Sequence, residues 1–237
     1  MKRRRLGQHY LVDGATVRRI ISIADVKQNE RVLEIGTGKG ALTRELAELG
    51  ASLKGYEVDW QNFEDTSIAV RGTGAQIILA DAFDQSPDFD VLVSSLPYSE
   101  SARFVQWLGT IVFGRAVVLL QEDFVRKILA PPGTREYRGV SALAQLCFEI
   151  RVLDKVSRAS FFPAPRVNSV IVLFAPRLRV TRAEVSNIIR LFSLRRRRVD
   201  SALAELGMKW DGSFGQRRVY SLRPEEVHGL CLPTSPQ

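Results

Sequence analysis

A chain of 237 residues, 45% hydrophobic and 25% charged, is long enough for one large domain or one domain with a small appendage. These proportions exclude a disordered chain and a fibrous repeat, and no stretch approaches the ~18 apolar residues needed to span a bilayer. The net charge of +8 is uneven: residues 1–5 carry +4, residues 177–237 hold 12 basic against six acidic residues, and the body between them is slightly acidic. Basic ends on a near-neutral body suit a polyanionic partner, although a solvated arginine face would give the same count.

The chain opens on a basic run, Lys2 to Arg5, followed by polar Gly7-Gln8-His9. No apolar segment follows, so it does not read as a secretory signal. Two cysteines and two histidines are too few for a disulfide framework or a metal cluster. A reducing, cytoplasmic setting without metal is expected. Residues 1–30 are read as an N-terminal motif and a helix. Arg31-Val-Leu-Glu-Ile35 reads as a buried strand and runs into Gly36-Thr-Gly38-Lys-Gly40. Residues 41–49 follow as a helix, with Leu42, Leu46 and Leu49 at helical spacing and Gly50 as its stop.

Further strands are expected over 51–57, 75–79, 89–94 and 115–121, and two more near 149–153 and 169–174. Strands alternating with helices predict βαβ units and a mostly parallel sheet covered on both faces. A break falls at Ala175-Pro176-Arg177. Beyond it the pattern is helical, over 182–194, 199–206 and 224–230. The expected division is therefore residues 1–176 as the α/β domain and residues 177–237 as a small basic helical domain.

In an open parallel sheet, ligands bind where the strands end at their carboxyl side. The first such end is Glu34-Ile-Gly36-Thr-Gly38-Lys-Gly40, where glycines permit a tight turn and close approach of a ligand. Gly36 to Ala41 also fits the looser dinucleotide pattern. Glu57-Val58 ends the second strand, where a carboxylate can take both hydroxyls of a ribose. Asp81-Ala82 ends the third, placing a carboxylate and an amide for an adenine edge. One acid at each of three successive strand ends is the arrangement of S-adenosylmethionine (SAM) methyltransferases. Singly, Glu57 and Asp81 read equally well as solvated charges, and Glu34 as an acid bracing the loop's own amides.

The fourth strand runs into Ser95-Leu96-Pro97-Tyr98, which resembles the N-L-P-Y signature of enzymes that methylate nucleobase amines. The lone pair of an adenine N6 is delocalised into the ring. Acceptors on its two N–H groups, here the Ser95 hydroxyl and the Leu96 carbonyl, would stabilise the charge that develops during methyl transfer. Pro97 fixes the turn and Tyr98 can stack on a flipped base. An ordinary loop is the plainer alternative.

From these residues the resemblance broadens. Gly7-Gln8-His9-Tyr10-Leu11-Val12-Asp13, the glycine run with Leu42-Thr43, Glu57-x-Asp59, Asp81-Ala82 and Leu96-Pro97-Tyr98 resemble the ribosomal RNA adenine dimethyltransferase family, in order. Gln121-Glu-Asp-Phe124, Phe161-Phe-Pro163-Ala-Pro165-Arg-Val167-Asn-Ser169, Leu191-Phe-Ser-Leu-Arg195-Arg-Arg and Leu222-Arg-Pro-Glu225 continue the match. The resemblance implies a Rossmann-like, seven-stranded SAM-methyltransferase fold. It also implies transfer of two methyls to each of two adjacent adenines near the 3′ end of small-subunit rRNA. Gln8, His9, Leu11, Glu34, Gly36, Gly38, Gly40 and Ser95 would contact the cofactor, with Glu57 beside Val58 on its ribose and Asp81 beside Ala82 on its adenine. Ser95, Leu96 and Tyr98 would handle the target N6, with Phe161 facing the base, although a core aromatic beside prolines reads the same.

One position departs from the family, which has Asn where this chain has Ser95. A serine hydroxyl can accept a hydrogen bond but reaches less far. Arg195 to Arg198 reads as an rRNA phosphate footprint, or in part as a cationic helix end. The expected partner is the assembling small ribosomal subunit, with the chain acting as a monomer and without a membrane. Three rivals remain open: a large-subunit rRNA methyltransferase, an rRNA-binding assembly factor weakened in catalysis at Ser95, and an NAD-dependent oxidoreductase. The last leaves the Leu96-Pro97-Tyr98 turn unexplained.

Overall fold

A computed structural model describes residues 9–232. The contacts divide the chain into two compact units. Of the described residues, the first comprises 9–101, 112–122 and 150–176, and the second 102–111, 123–149 and 177–232. The boundary at 176/177 is shared with the expected division, but the second unit also draws in two segments from the middle of the chain. The contiguous split is therefore not the one the packing makes. The segment 123–149 gave no strand pattern, and its second helix, residues 139–147, packs on the C-terminal helices 182–193 and 224–231.

The first unit is built on a twisted sheet. Its strands are β2 (Arg31–Ile35), β3 (Ser52–Glu57), β4 (Gln76–Leu79), β5 (Val91–Ser95), β6 (Arg115–Gln121), β7 (Phe148–Val156) and β9 (Ser169–Pro176). Their spatial order is β4-β3-β2-β5-β6-β9-β7. All neighbours from β4 to β6 are parallel and β6 pairs antiparallel with β9. The order reverses between β2 and β5, so the crevice beyond the ends of these two strands is the topological switch point. The central strands β2, β5, β6 and β9 are near-continuous buried runs because both faces are covered, whereas the edge strands β4 and β7 are largely open.

Helices α1 (Gly14–Ala24), α2 (Ala41–Glu48) and α3 (Trp60–Ala69) follow the sequence signals that start them. Asp13 caps α1 by accepting the Thr16 N–H at 3.0 Å, and Asp59 caps α3 by accepting those of Gln61 and Asn62. The Asp59-Trp60-Gln61 start of α3 is thus a helix cap. Gly40, at φ 76°, turns the chain into α2. Gly55 on β3 is required by close packing: a Cβ there would stand 2.6 Å from the Thr37 methyl.

A second, two-stranded ribbon went unforeseen. β1 (Tyr10–Leu11) pairs antiparallel with β8 (Phe161–Phe162), with Leu11 opposite Phe161 and Tyr10 opposite Phe162. It ties the N-terminal motif to the proline-rich segment. Two residues per strand are too few to show a period.

The second unit is helical, containing α6 (Gly139–Cys147), α7 (Arg182–Ser193), α8 (Val199–Leu206) and α9 (Pro224–Cys231), with most of α4 (Ser101–Leu108) and α5 (Glu122–Ile128). Gly139 lets α6 approach α7, where a Cβ would stand 3.1 Å from Ile189 and Phe192. The ring of Tyr137 meets Phe192 edge-on at 5.4 Å. No helix among the described residues is long and apolar enough to cross a membrane.

Candidate active site

At the switch point a cavity is lined by His9, Tyr10, Leu11, Glu34, Gly36, Thr37, Gly38, Lys39, Ala41, Leu42 and Ser95. The structure therefore brings together six residues foreseen for the cofactor: His9, Leu11, Glu34, Gly36, Gly38 and Ser95. Gln8 and the Lys2–Arg5 arm lie outside the described residues. Gly40, Glu57, Val58, Asp81 and Ala82 stand at the neighbouring strand and loop ends but do not line this cavity. The Asp81 carboxylate accepts the Phe83 N–H at 3.0 Å.

The loop-bracing role that the sequence offered to Glu34 falls to Glu57. Glu57 braces the loop: it accepts N–H groups from Gly38, Val58 and Asp59, each at 2.8 Å. It can do so because β3 lies beside β2 in register, so that its end abuts the glycine turn. Glu34 is 1% exposed, and its Oε2 has no hydrogen-bond partner among the described residues. Burial pushes its carboxyl up to about 8; the neighbouring Thr43 hydroxyl opposes this and Glu57 adds to it. A buried carboxyl oxygen without a partner, on the wall of a cavity, fits a ligand that brings a cation or a hydrogen-bond donor.

Tyr10, Thr37, Lys39, Ala41 and Leu42 were not assigned to the cofactor site from the sequence. Tyr10 covers the turn so closely that a Cβ on Gly38 would stand 3.2 Å from its ring. Lys39 is paired with Asp65 at 3.0 Å and lies over the Tyr10 ring.

The turn closing β5 enters the same crevice. Ser94 is fully buried and donates to the Ile35 carbonyl at 2.6 Å, which fastens β5 to the end of β2. Ser95 then lines the cavity, Leu96 is buried, and the Pro97 ring stands 3.8 Å from where a Gly36 Cβ would be. Tyr98 is half-buried, its hydroxyl 2.8 Å from the Ser169 hydroxyl and its ring 5.7 Å from that of His9. Burial raises the Tyr98 hydroxyl, which the bond to Ser169 partly offsets.

Phe161 departs from expectation. It is 4% exposed and packs in the core cluster with Leu11, while Phe162 is 72% exposed. The ribbon register decides this, because adjacent residues of a strand face opposite ways. His9 Nδ1 lies 2.6 Å from the Pro163 carbonyl, holding the two segments together.

In the second unit the four-arginine run divides. Arg197 pairs with Glu205 and Arg198 with Asp200. Arg195 and Arg196 instead line an open cavity with Gly133, Thr134, Arg135, Arg218 and Tyr220. No carboxylate among the described residues is within ion-pair reach of these four guanidinium groups. Burial, and then the nearby cations Arg138, Arg196 and Arg135, lower the Arg195 guanidinium below its usual range.

A model of the family described as ribosomal RNA adenine dimethylase matches residues 1–209. A relative from Methanothermobacter thermautotrophicus, described as a probable ribosomal RNA small subunit methyltransferase A, is 33% identical over 95% of this chain and 88% of its own. One from Pyrococcus abyssi with the same description is 32% identical over 94% and 88%. Among solved structures, a dimethyladenosine transferase from Plasmodium falciparum superposes with a TM-score of 0.75 at 23% identity, covering 94% of this chain and 96% of that one. The 23S rRNA methyltransferase ErmE superposes at 0.63 with 25% identity, over 94% and 99%. The seven-stranded Rossmann-like fold and the SAM-binding expectation stand with these matches. The chain belongs to the ribosomal RNA adenine dimethylase family and is a SAM-dependent rRNA adenine dimethyltransferase.

Proposed function

We propose that this chain dimethylates N6 of two adjacent adenines near the 3′ end of small-subunit rRNA, acting as a monomer in the cytoplasm on an assembling subunit. The observation that carries this reading is Ser95, which lines the cofactor cavity and also opens the Leu96-Pro97-Tyr98 turn. A cofactor site and a nucleobase-amine site meet at that residue.

SAM supplies a methyl group already activated on a sulfonium, so no metal and no separate base is needed. The chain's own residues bind and orient. The Gly36–Gly40 turn, braced by Glu57, gives the cofactor a close backbone wall, and Glu34 offers its unpartnered oxygen. Glu57 with Val58, and Asp81 with Ala82, are the residues for the ribose and the adenine. The Ser95 hydroxyl and the Leu96 carbonyl accept from the target amine as positive charge develops on it. Tyr98, held by Ser169 and beside His9, supplies the ring against which the flipped base rests. Arg195 and Arg196, together with Arg135 and Arg218, take rRNA phosphates, while Arg197 and Arg198 hold the local fold.

Incubating the purified chain with labelled SAM and undermethylated small subunits tests the reading. Label is expected in N6,N6-dimethyladenine at two adjacent positions. Label in large-subunit RNA instead, mapped by primer extension, would favour the ErmE-like alternative. rRNA binding without transfer, restored by Ser95→Asn, would favour an assembly factor weakened at that residue.

A further inference from the structure

The β1–β8 ribbon has two unlike faces. Leu11 and Phe161 point into the core, whereas Tyr10 and Phe162 share the opposite face. Tyr10 lines the cofactor cavity, and its partner Phe162 is the most exposed of the large apolar side chains described. The ring is not exposed through looseness of the chain. The Val12 and Asp13 N–H groups donate to the Ser160 carbonyl at 2.9 and 3.3 Å, and His9 grips the Pro163 carbonyl. The Arg158 N–H donates to Asn168 Oδ1 at 3.2 Å and closes the base of the loop.

The loop that carries this ring holds charge of one sign. Arg158 and Arg166 flank it in the same loop, both exposed, and neither has a carboxylate within ion-pair reach among the described residues. No Asp or Glu occurs in the sequence between Asp154 and Glu184. A presented aromatic face between free guanidinium groups suits single-stranded RNA, whose unpaired bases stack on rings and whose phosphates take arginine forks. A duplex keeps its bases stacked on each other and offers none.

We propose that Phe162 is a stacking platform for an unpaired nucleobase flanking the target adenine, with Arg158 and Arg166 on the adjacent phosphates. This rests on the reading of the chain as an rRNA adenine methyltransferase, and adds a strand-holding subsite to the target turn. Phe162 stands outside the core, so its substitution leaves the fold intact.

The test uses the full chain, a single-stranded oligoadenylate RNA, an RNA hairpin duplex and S-adenosylhomocysteine. Phe162→Ala is expected to weaken single-strand binding by about 5- to 100-fold, with duplex and cofactor-product affinities unchanged and Phe162→Trp restoring the loss. In methylation assays the same variant should raise KM for RNA and spare kcat. Arg158→Ala with Arg166→Ala should reduce the salt dependence of single-strand binding by about 1.4 in log–log slope. Unchanged binding by Phe162→Ala, or an equal loss on the duplex, overturns the proposal. So does full rescue by Phe162→Leu, which would mark a general apolar contact such as a protein or lipid surface. A wild-type chain that methylates small subunits while Phe162→Ala binds normally defeats this proposal alone. A wild-type chain that shows the Phe162 dependence but does not methylate defeats the functional reading alone.

Discussion

The cavity beside the glycine turn and the arginine cavity of the second unit are both concave, but their unmet charges are opposite. The first presents a buried acid with an unpartnered oxygen, and its one lysine is already paired with Asp65. The second presents four guanidinium groups and no carboxylate among the described residues. The difference teaches what each is built to receive: a small ligand bringing a donor or positive charge in one, a polyanion in the other. The neighbouring pairs Arg197–Glu205 and Arg198–Asp200 show that arginine in this unit is neutralised where it serves the fold.

The strongest way to break the comparison is at Glu57, which holds three backbone N–H groups of the cofactor turn. Glu57→Ala should cost about 3–5 kcal/mol of stability and abolish measurable binding of S-adenosylhomocysteine, as read by denaturant melts and calorimetry. Near-normal binding would show that the turn does not depend on this carboxylate.

Tyr98→Ala comes next. Turnover should fall by about 10²-fold while cofactor-product affinity stays within a few-fold, because the ring belongs to the target side of Ser95. Loss of cofactor binding instead would mean that the two subsites are not separable.

The arginine cavity is sharpened by paired double variants. Replacing Arg195 and Arg196 with alanine should weaken RNA binding and flatten its salt dependence by about 1.4 in log–log slope. Replacing Arg197 and Arg198 should leave that slope alone. Equal effects from both pairs would restore the undivided four-arginine footprint.

The smallest effect concerns Glu34. Its carboxyl is raised to about 8, above the ordinary value of 4.5, so the folded chain holds a proton that the unfolded chain has lost. Stability from this group is therefore full below about 4.5, falls as pH rises towards 8, and is level beyond. Glu34→Gln should remove that slope in melts followed from pH 5 to 8. In the wild type, a cationic ligand that draws Glu34 into its charged form should release protons near pH 7, seen as buffer-dependent binding heats. No buffer dependence would argue against a direct Glu34 contact.

Much of this was legible in the residues. β2, β6 and α8 begin and end where the apolar runs and punctuation place them, because strands covered on both faces and capped helices write their limits locally. The glycine turn and the Ser95–Tyr98 turn were legible for the same reason. The other strand edges shifted by a residue or more at their ends; β7 extends from Phe148 to Val156 and β9 to Pro176, past the expected break. The helices of segment 123–149 were missed, since that segment completes its apolar surface on residues far along the chain.

The sequence by itself determined the order of the sheet strands and of the C-terminal helices, the glycine turn, the Ser95–Tyr98 turn and the basic character of both ends, all carried by residues close together in the chain. The tertiary structure alone decided which acid braces the turn, which phenylalanine faces outward and which arginines are left without a counter-charge. Each of those depends on a partner many residues away: β3 lying against β2, β8 in register with β1, and a loop at 133–135 meeting Arg195 and Arg218. Local chemistry can nominate such groups, but only the packing settles which of two neighbours is satisfied and which is left for a ligand.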